Sequence, residues 1–235
     1  MASNAPYTLD DLQTRIHTLV ENDSDTPEST DDEYTIRLNL INQSIGKWEM
    51  EDTLWDELWT SYTHASTVST STTYTLTFTD FRFAGGAVQL VLNGATTYVE
   101  VISPEQSQIQ LDRRVVWFTG NNKDGWTLNL GWTPASGDGT YGATIKIPYY
   151  KYATRFTSAS ASTTKPEMSD PNYIVYDVAA AKSLMESRNN QFSIYNTEAL
   201  IRLDKMKTIN ELGPHYQNGQ VEDNDSIAYN SVMGE

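Results

Sequence analysis

The chain of 235 residues contains no cysteine. That excludes a disulfide framework, a thiolate metal site and a cysteine nucleophile, and nothing ties the protein to an oxidising compartment. Histidine is almost as scarce. His17, His64 and His215 stand in three separate zones, with no H-E-x-x-H or comparable ligand spacing. Long apolar runs are missing too, and none approaches the roughly 20 residues of a membrane span. The opening "MASNAPYTLDDLQ" has no basic segment followed by an apolar one, so no secretory signal is expected there. Positive charge is in short supply: 16 Lys and Arg against 31 Asp and Glu give a formal charge of −15. Affinity for nucleic acid comes largely from neutralising phosphates, so a nucleic-acid-binding role is excluded.

What is present is globular. Hydrophobic residues make up 38% of the chain and aromatics 11%, enough for one domain or two small ones. The charge is uneven: residues 1–60 hold 14 acidic and 3 basic side chains, residues 61–165 hold 6 and 8, and residues 166–235 hold 11 and 5. Two acidic ends flank a slightly basic middle.

The acidic ends carry helical signals. Thr8 can cap a helix over about 8–21, with Asp10 and Asp11 in the first turn and Leu9, Leu12, Ile16 and Leu19 at helical spacing. The stretch 21–33, "ENDSDTPESTDDE", reads as a solvated connector. Thr30 and Glu33 then form a second capping-box pattern. Tyr34, Leu38, Ile41, Ile45 and Trp48 draw one stripe along a helix over about 31–49, in which Gly46 marks a close approach by a neighbour. Trp48, Leu54, Trp55, Leu58 and Trp59 read as a core plug rather than a sugar or lipid platform, because aliphatics interleave the rings. Near the other end, Asp170 and Pro171 open a helix, the run 179–181 of alanines permits close packing, and Asn189-Asn190 breaks it. Phe192, Tyr195, Ala199, Leu203 and Met206 stripe a last helix, which Gly213-Pro214 stops.

The middle has period two. Tyr74, Leu76 and Phe78 alternate with threonines, "AVQLVL" follows a Gly85-Gly86 turn, and Asn93-Gly94 is a hairpin signal. "TTYVEVIS", "VVWFTG", "WTLNLGW" and "YGATIKIPYY" continue the series of short strands, with Trp126, Leu128, Leu130 and Trp132 on one face. The expected fold is α+β: a helical body of N- and C-terminal helices interrupted by an antiparallel sandwich- or barrel-like insertion, with an extended C-terminal arm. The expected divisions are 1–60 and 166–212 for the body, 61–165 for the insertion and 213–235 for the arm.

Chemistry is thin. No Gly-rich phosphate loop precedes a helix, and G-x-S-x-G is absent. Glu100, Glu105 and Asp112 could pair as glycosidase carboxylates, but two carboxylates occur in almost any protein. No enzyme, metal or cofactor is expected.

Three motifs follow one another: "VVWFTGNNKDGWTLNLGWTP", "IKIPYYKYATRF" and "MSDPNYIVYDVAAAKSLM". In this order, after an N-terminal helical stretch ending in tryptophans, they resemble the head–tail adaptor proteins of tailed bacteriophages, including the tail tubular family. The resemblance spans about residues 8–212. The spacer "SASASTTKPE" and the polar stretch 60–72 depart from it, and 213–235 matches no motif of the family. It implies a structural virion protein at the head–tail interface, made in the host cytoplasm, that forms a ring, twelve-fold, beneath the portal. Its partners would be copies of itself, the portal protein and a downstream tail or neck protein. DNA would pass through without specific binding, and no membrane would be involved. An acidic lumen would not grip phosphates. The residues assigned to the portal are Leu212, Pro214, Tyr216, Val221 and Ile227, together with Tyr229, Val232 and Met233.

A second class of function is a carbohydrate-binding β module resting on Trp117, Trp126 and Trp132. A sugar platform needs exposed rings, whereas a β core buries them, and tryptophans on a leucine-bearing face read as core. Acrylamide quenching of fluorescence separates the two.

Overall fold

The computed structural model describes residues 7–23, 28–108, 114–160 and 164–212. They divide into two compact units, one drawn from Met1–Leu58 and Ala153–Pro214, the other from Trp59–Tyr152.

The first unit is helical. Its elements are α1 (Leu9–Glu21), α2 (Asp32–Glu51), α3 (Asn172–Met185) and α4 (Asn189–Leu212). Thr8 and Asp11 form the reciprocal box that starts α1: Thr8 Oγ1 accepts the Asp11 N–H, and the Asp11 carboxylate accepts the Thr8 N–H at 2.9 Å. These bonds to the backbone and side chain of Thr8 hold the Asp11 carboxyl below its usual pKa. Asn22 ends the helix in the left-handed conformation, φ 55°. The last carbonyls of α1 are met from α4 and the turn before it: Arg188 Nη1 donates to Val20 O at 2.9 Å and the Tyr195 hydroxyl to Leu19 O at 3.0 Å. The core-facing residues of α1 are Leu9, Leu12, Ile16 and Val20, so the last position of the stripe is Val20 rather than Leu19.

The second capping box does not form. The N-cap of α2 is Asp31, with no side-chain cap bond, and Glu33 turns instead to Arg37 and Lys182. Arg37 is almost fully buried at 1% exposure and takes a place on the helix's inner stripe. Burial opposes ionisation of Glu33, but the hydrogen bond from Lys182 and the nearby Arg37 and Lys182 charges outweigh it, so the carboxyl sits below its ordinary value near 4.5. A depressed carboxyl contributes stability that is present above its unfolded value and is lost as pH falls through the folded one. Unfolding of the wild type by urea is therefore expected to need less denaturant in acid than at neutral pH, and Glu33→Gln to show a shallower fall over the same range. Equal slopes would remove Glu33 from the account.

Trp48 and Trp55 stack with centroids 5.0 Å apart, and Trp55 Nε1 donates to Trp48 O at 2.8 Å. Gly46 faces Arg155, whose Nη2 would lie 3.4 Å from an added Cβ. Arg155 in turn bonds the buried Glu49, which also accepts the Ala153 N–H. At the start of α3 the Asp170 carboxylate accepts the Asn172 N–H at 3.1 Å. The break between α3 and α4 falls at 186–188, where Ser187 adopts φ 60°, and Asn189 already belongs to α4.

The second unit holds β1 (Trp59–Thr67), β2 (Thr73–Leu76), β3 (Phe81–Ala84), β4 (Val88–Leu92), β5 (Ala95–Val101), β6 (Val115–Asn121), β7 (Gly125–Leu130) and β8 (Thr144–Lys151). The sequence expectation of a wholly antiparallel sandwich or barrel is corrected here. The strands make one mixed sheet, in the order β1-β8-β4-β5-β6-β7-β2 with β3 also on β8, curling nearly closed. β5 and β6 run parallel, through Glu100↔Val115 and Val101↔Val116. The arm, 213–235, lies outside the described residues, as does the Gly213-Pro214 helix stop.

The parallel pair has a physical reason. Parallel neighbours ordinarily need a long crossover. Here only the end of β5 meets the start of β6, so the chain between them returns to the level it left. Gly85-Gly86 also does something other than turn the chain back. β1 occupies one edge of β8 along its length, so β3 and β4 share the other, β4 against 144–146 and β3 against 149–151. Together they are one kinked strand. The partner changes at Pro148, which has no N–H to give; its carbonyl accepts the Gly85 N–H at 2.9 Å. A Cβ on Gly85 would meet the Trp59 ring and Tyr149 Cα at 3.1 Å. At the open seam, His64 Nδ1 accepts the Ser66 N–H, leaving Nε2–H to donate to Thr75 O of β2 at 3.0 Å. Inside, Phe78 stacks on Phe81 and Tyr149 at 5.0 Å, and Phe81 meets Trp126 at 4.8 Å.

Candidate functional site

The helical unit presents an apolar surface with no inward role. α4 has 24 residues, a rod about 36 Å long at 1.5 Å per residue. Its inner stripe is Ala199, Leu203, Met206 and Asn210, all buried. Asn210 pins the turn after α2, donating to Asp52 and to Leu54 O and accepting the Asp56 N–H at 3.0 Å. The opposite side should be polar on a helix that ends at solvent. Instead Ile194, Ile201 and Ile209 recur at steps of seven and eight and are 61%, 57% and 54% exposed. Leu200 beside them and Met185 at the end of α3 are exposed as well. These apolar side chains stand in solvent among the exposed Thr197, Asp204, Lys205 and Thr208.

Of the residues assigned to the portal, Leu212 is the last residue of α4. Pro214, Tyr216, Val221, Ile227, Tyr229, Val232 and Met233 lie outside the described residues. The exposed isoleucines of α4 went unread in the sequence. The signal was there: apolar residues at i, i+7 and i+15, offset by half a turn from the Leu203 stripe.

The β unit carries a cleft of about 510 Å³ on the β6–β7–β2 side. Trp117, Asn129 and Thr73 are directly opposed across the three strands and contribute side by side. Trp132 and Thr133, just past β7, line another part, with Ser107 and Thr72. Gly131 is bare for a reason: an added Cβ would stand 2.9 Å from Val115 Cγ2 and 3.6 Å from the Trp117 ring. The Arg114 guanidinium lies over Trp132, 5.5 Å from its centroid. Arg114 is held by Asp138, through the carbonyl at 3.3 Å and the carboxylate at 3.7 Å. Asp138 organises the loop after β7, its carboxylate accepting the backbone N–H groups of Thr140, Ala135 and Tyr141. Those bonds, the Thr140 N–H first, lower its pKa to about 2.

The structure thus brings Trp117 and Trp132 to one cleft and takes Trp126 away from it. Trp126 packs on the interior with Phe81, and its Nε1 donates to Asn122 Oδ1 at 2.7 Å. The carboxylates Glu100 and Glu105 are both exposed, Glu100 on β5 and Glu105 in the turn that follows, and Asp112 lies outside the described residues. His17 is buried in α1, His64 bridges the sheet seam, and His215 is outside the described residues. Among the described residues no group of three His, Cys, Asp or Glu could hold a metal ion, and no helix is long and apolar enough to cross a membrane. No protein-family model matches this chain, and no curated protein matches it.

Proposed function

We propose that the protein is a structural subunit that assembles with copies of itself, as a head–tail adaptor ring of a tailed bacteriophage. The observation that carries the reading is the exposed pair Ile194 and Ile201 of α4, on the side away from that helix's buried face, with Ile209 exposed at its flank. An exposed apolar stripe on a rod of this length suits repeated contact between identical subunits, and a head-to-tail contact that closes generates a ring. The ordered motifs from Val115 to Met185 support the same reading by resemblance. The charge of −15 supports it physically: a wall of like charge lets DNA slide past without holding it.

Ile201→Asp tests the assembly. A carboxylate at the centre of the row has to be desolvated on contact, at a cost of several kcal/mol, so rings seen by electron microscopy of the wild type are expected to give way to monomers in the variant. Circular dichroism is expected to be unchanged, because Ile201 faces away from the core. A wild type that stays monomeric at every concentration would overturn self-assembly. The adaptor role is tested separately, in a phage carrying an early stop codon in this gene. DNA-filled heads without tails are expected, and intact particles that only fail to adsorb would refute it.

A further inference from the structure

The geometry points to a second site on the β unit, independent of the assembly: the cleft under Trp117 and Trp132 binds a stretch of neutral polysaccharide. At about 510 Å³ it falls in the roughly 300–1,000 Å³ range of small-molecule sites. Its lining is a combination a sugar chain can use. The Trp117 indole offers an apolar face to the C–H face of a pyranose ring, and Trp132, packed on the core and covered by Arg114, walls the cleft beside it. Between and around them stand hydroxyls and an amide, from Thr72, Thr73, Ser107, Thr133 and Asn129, each able to meet a sugar hydroxyl as donor or acceptor.

The charge pattern selects against other ligands. Among the described residues no Lys, Arg, Asp or Glu lines the cleft. Arg114 is turned onto the Trp132 ring and tied to Asp138, so it serves to position the ring. A phosphorylated or carboxylated ligand would find no free partner in the cleft and would meet a protein of net charge −15. A cation would find no carboxylate there.

The platform is also built to hold its shape. Asn129 Nδ2 donates to Trp117 O, Thr127 O and Thr119 Oγ1, at 3.3, 3.3 and 3.0 Å, locking the amide across β6 and β7 beside the indole. Gly131 leaves room for Val115, whose Cγ2 and carbonyl oxygen would lie 2.9 and 3.1 Å from an added Cβ, so the two strands close up under the platform. A rigid aromatic face loses little entropy on binding.

The test is titration of the full chain with cellohexaose, maltohexaose and chitohexaose, read by tryptophan fluorescence and calorimetry, with glucose as the single-ring control. At least one hexasaccharide is expected to bind, more tightly than glucose. Trp117→Ala is expected to weaken that binding about tenfold or more, and Trp126→Phe to leave it within about twofold. Should Trp117→Ala fail to fold, Thr73→Arg serves instead. Thr73 is exposed on a strand that pairs on one side only, and the longer side chain fills the cleft without touching the core, so the same loss is expected. Binding of none of the three hexasaccharides would overturn the proposal. So would binding that survives Thr73→Arg, or binding lost equally in Trp126→Phe.

Discussion

Gly120→Ala is expected to destabilise the β unit by about 3 kcal/mol or more, the sum of backbone strain and a steric clash. Gly120 lies near the end of β6 with φ +113°, a conformation that side chains rarely adopt. A Cβ there would sit 2.1 Å from the carbonyl oxygen of Gly125 and 3.1 Å from Trp126 Cα, both backbone atoms of the partner strand. Neither can move without breaking the β6–β7 ladder, in which Gly120 is opposed to Trp126. Gly94 is the control. Its φ is +82°, yet nothing lies within 4 Å of an added Cβ, so Gly94→Ala carries conformational strain alone, about 1 kcal/mol. Urea unfolding of both variants, followed by tryptophan fluorescence, measures the difference. Equal midpoints for Gly120→Ala and Gly94→Ala would show that the clash does not exist.

The second large effect belongs to the helical unit. Trp55→Ala is expected to cost about 3–5 kcal/mol, as for other large aromatic truncations in cores. Trp55 is 0% exposed, stacks on Trp48 and gives its indole N–H to Trp48 O. That carbonyl belongs to the last turn of α2 and has no helical N–H to accept, so the indole also finishes the helix. Trp55→Phe retains most of the ring and loses the hydrogen bond, for which about 1 kcal/mol is expected. Denaturation followed by far-ultraviolet circular dichroism reads both. A cost below about 1 kcal/mol for the alanine variant would mean that the pair does not close the core.

Much of the helical unit is legible because its signals are local. Thr8 and Asp11 stand three residues apart, and their reciprocal bonds need nothing from the rest of the chain. Tyr34, Ile41, Ile45 and Trp48 of the expected stripe are buried, Leu38 is only half-buried, and Gly46 does mark a close neighbour, which turns out to be Arg155. The failures are where a residue has two local uses and a distant partner chooses. Glu33 fits a capping box but is taken by Arg37 and by Lys182, 149 residues away. A buried arginine on the inner stripe of α2 breaks the apolar pattern for the same reason.

The β unit was legible in its strands and not in their order. Alternation reports which face of a strand is buried; it carries no information on which neighbour the strand meets or in which direction. Hence the parallel pairing of β5 with β6, the union of β3 and β4 along β8, and the seam bridged by His64 belong to the tertiary structure. β1 escaped notice because its half-buried positions, Thr60, Tyr62 and His64, are not aliphatic, so the alternation in burial leaves no hydrophobic alternation in the sequence. The candidate sites divide in the same way. The isoleucines of α4 are a one-dimensional pattern and stood in the sequence at helical spacing. The cleft was beyond it, since Trp117 and Trp132 look alike in a string of strand residues, and register alone sets Trp117 beside Asn129 and Thr73 while sending Trp126 inward. Composition, the start of α1 and the strand faces were determined by the sequence itself, because they rest on contacts within a few residues. Pairing order, the kinked strand on β8 and the cleft were decided by the tertiary structure, because each depends on segments distant in the chain competing for the same hydrogen bonds and the same interior.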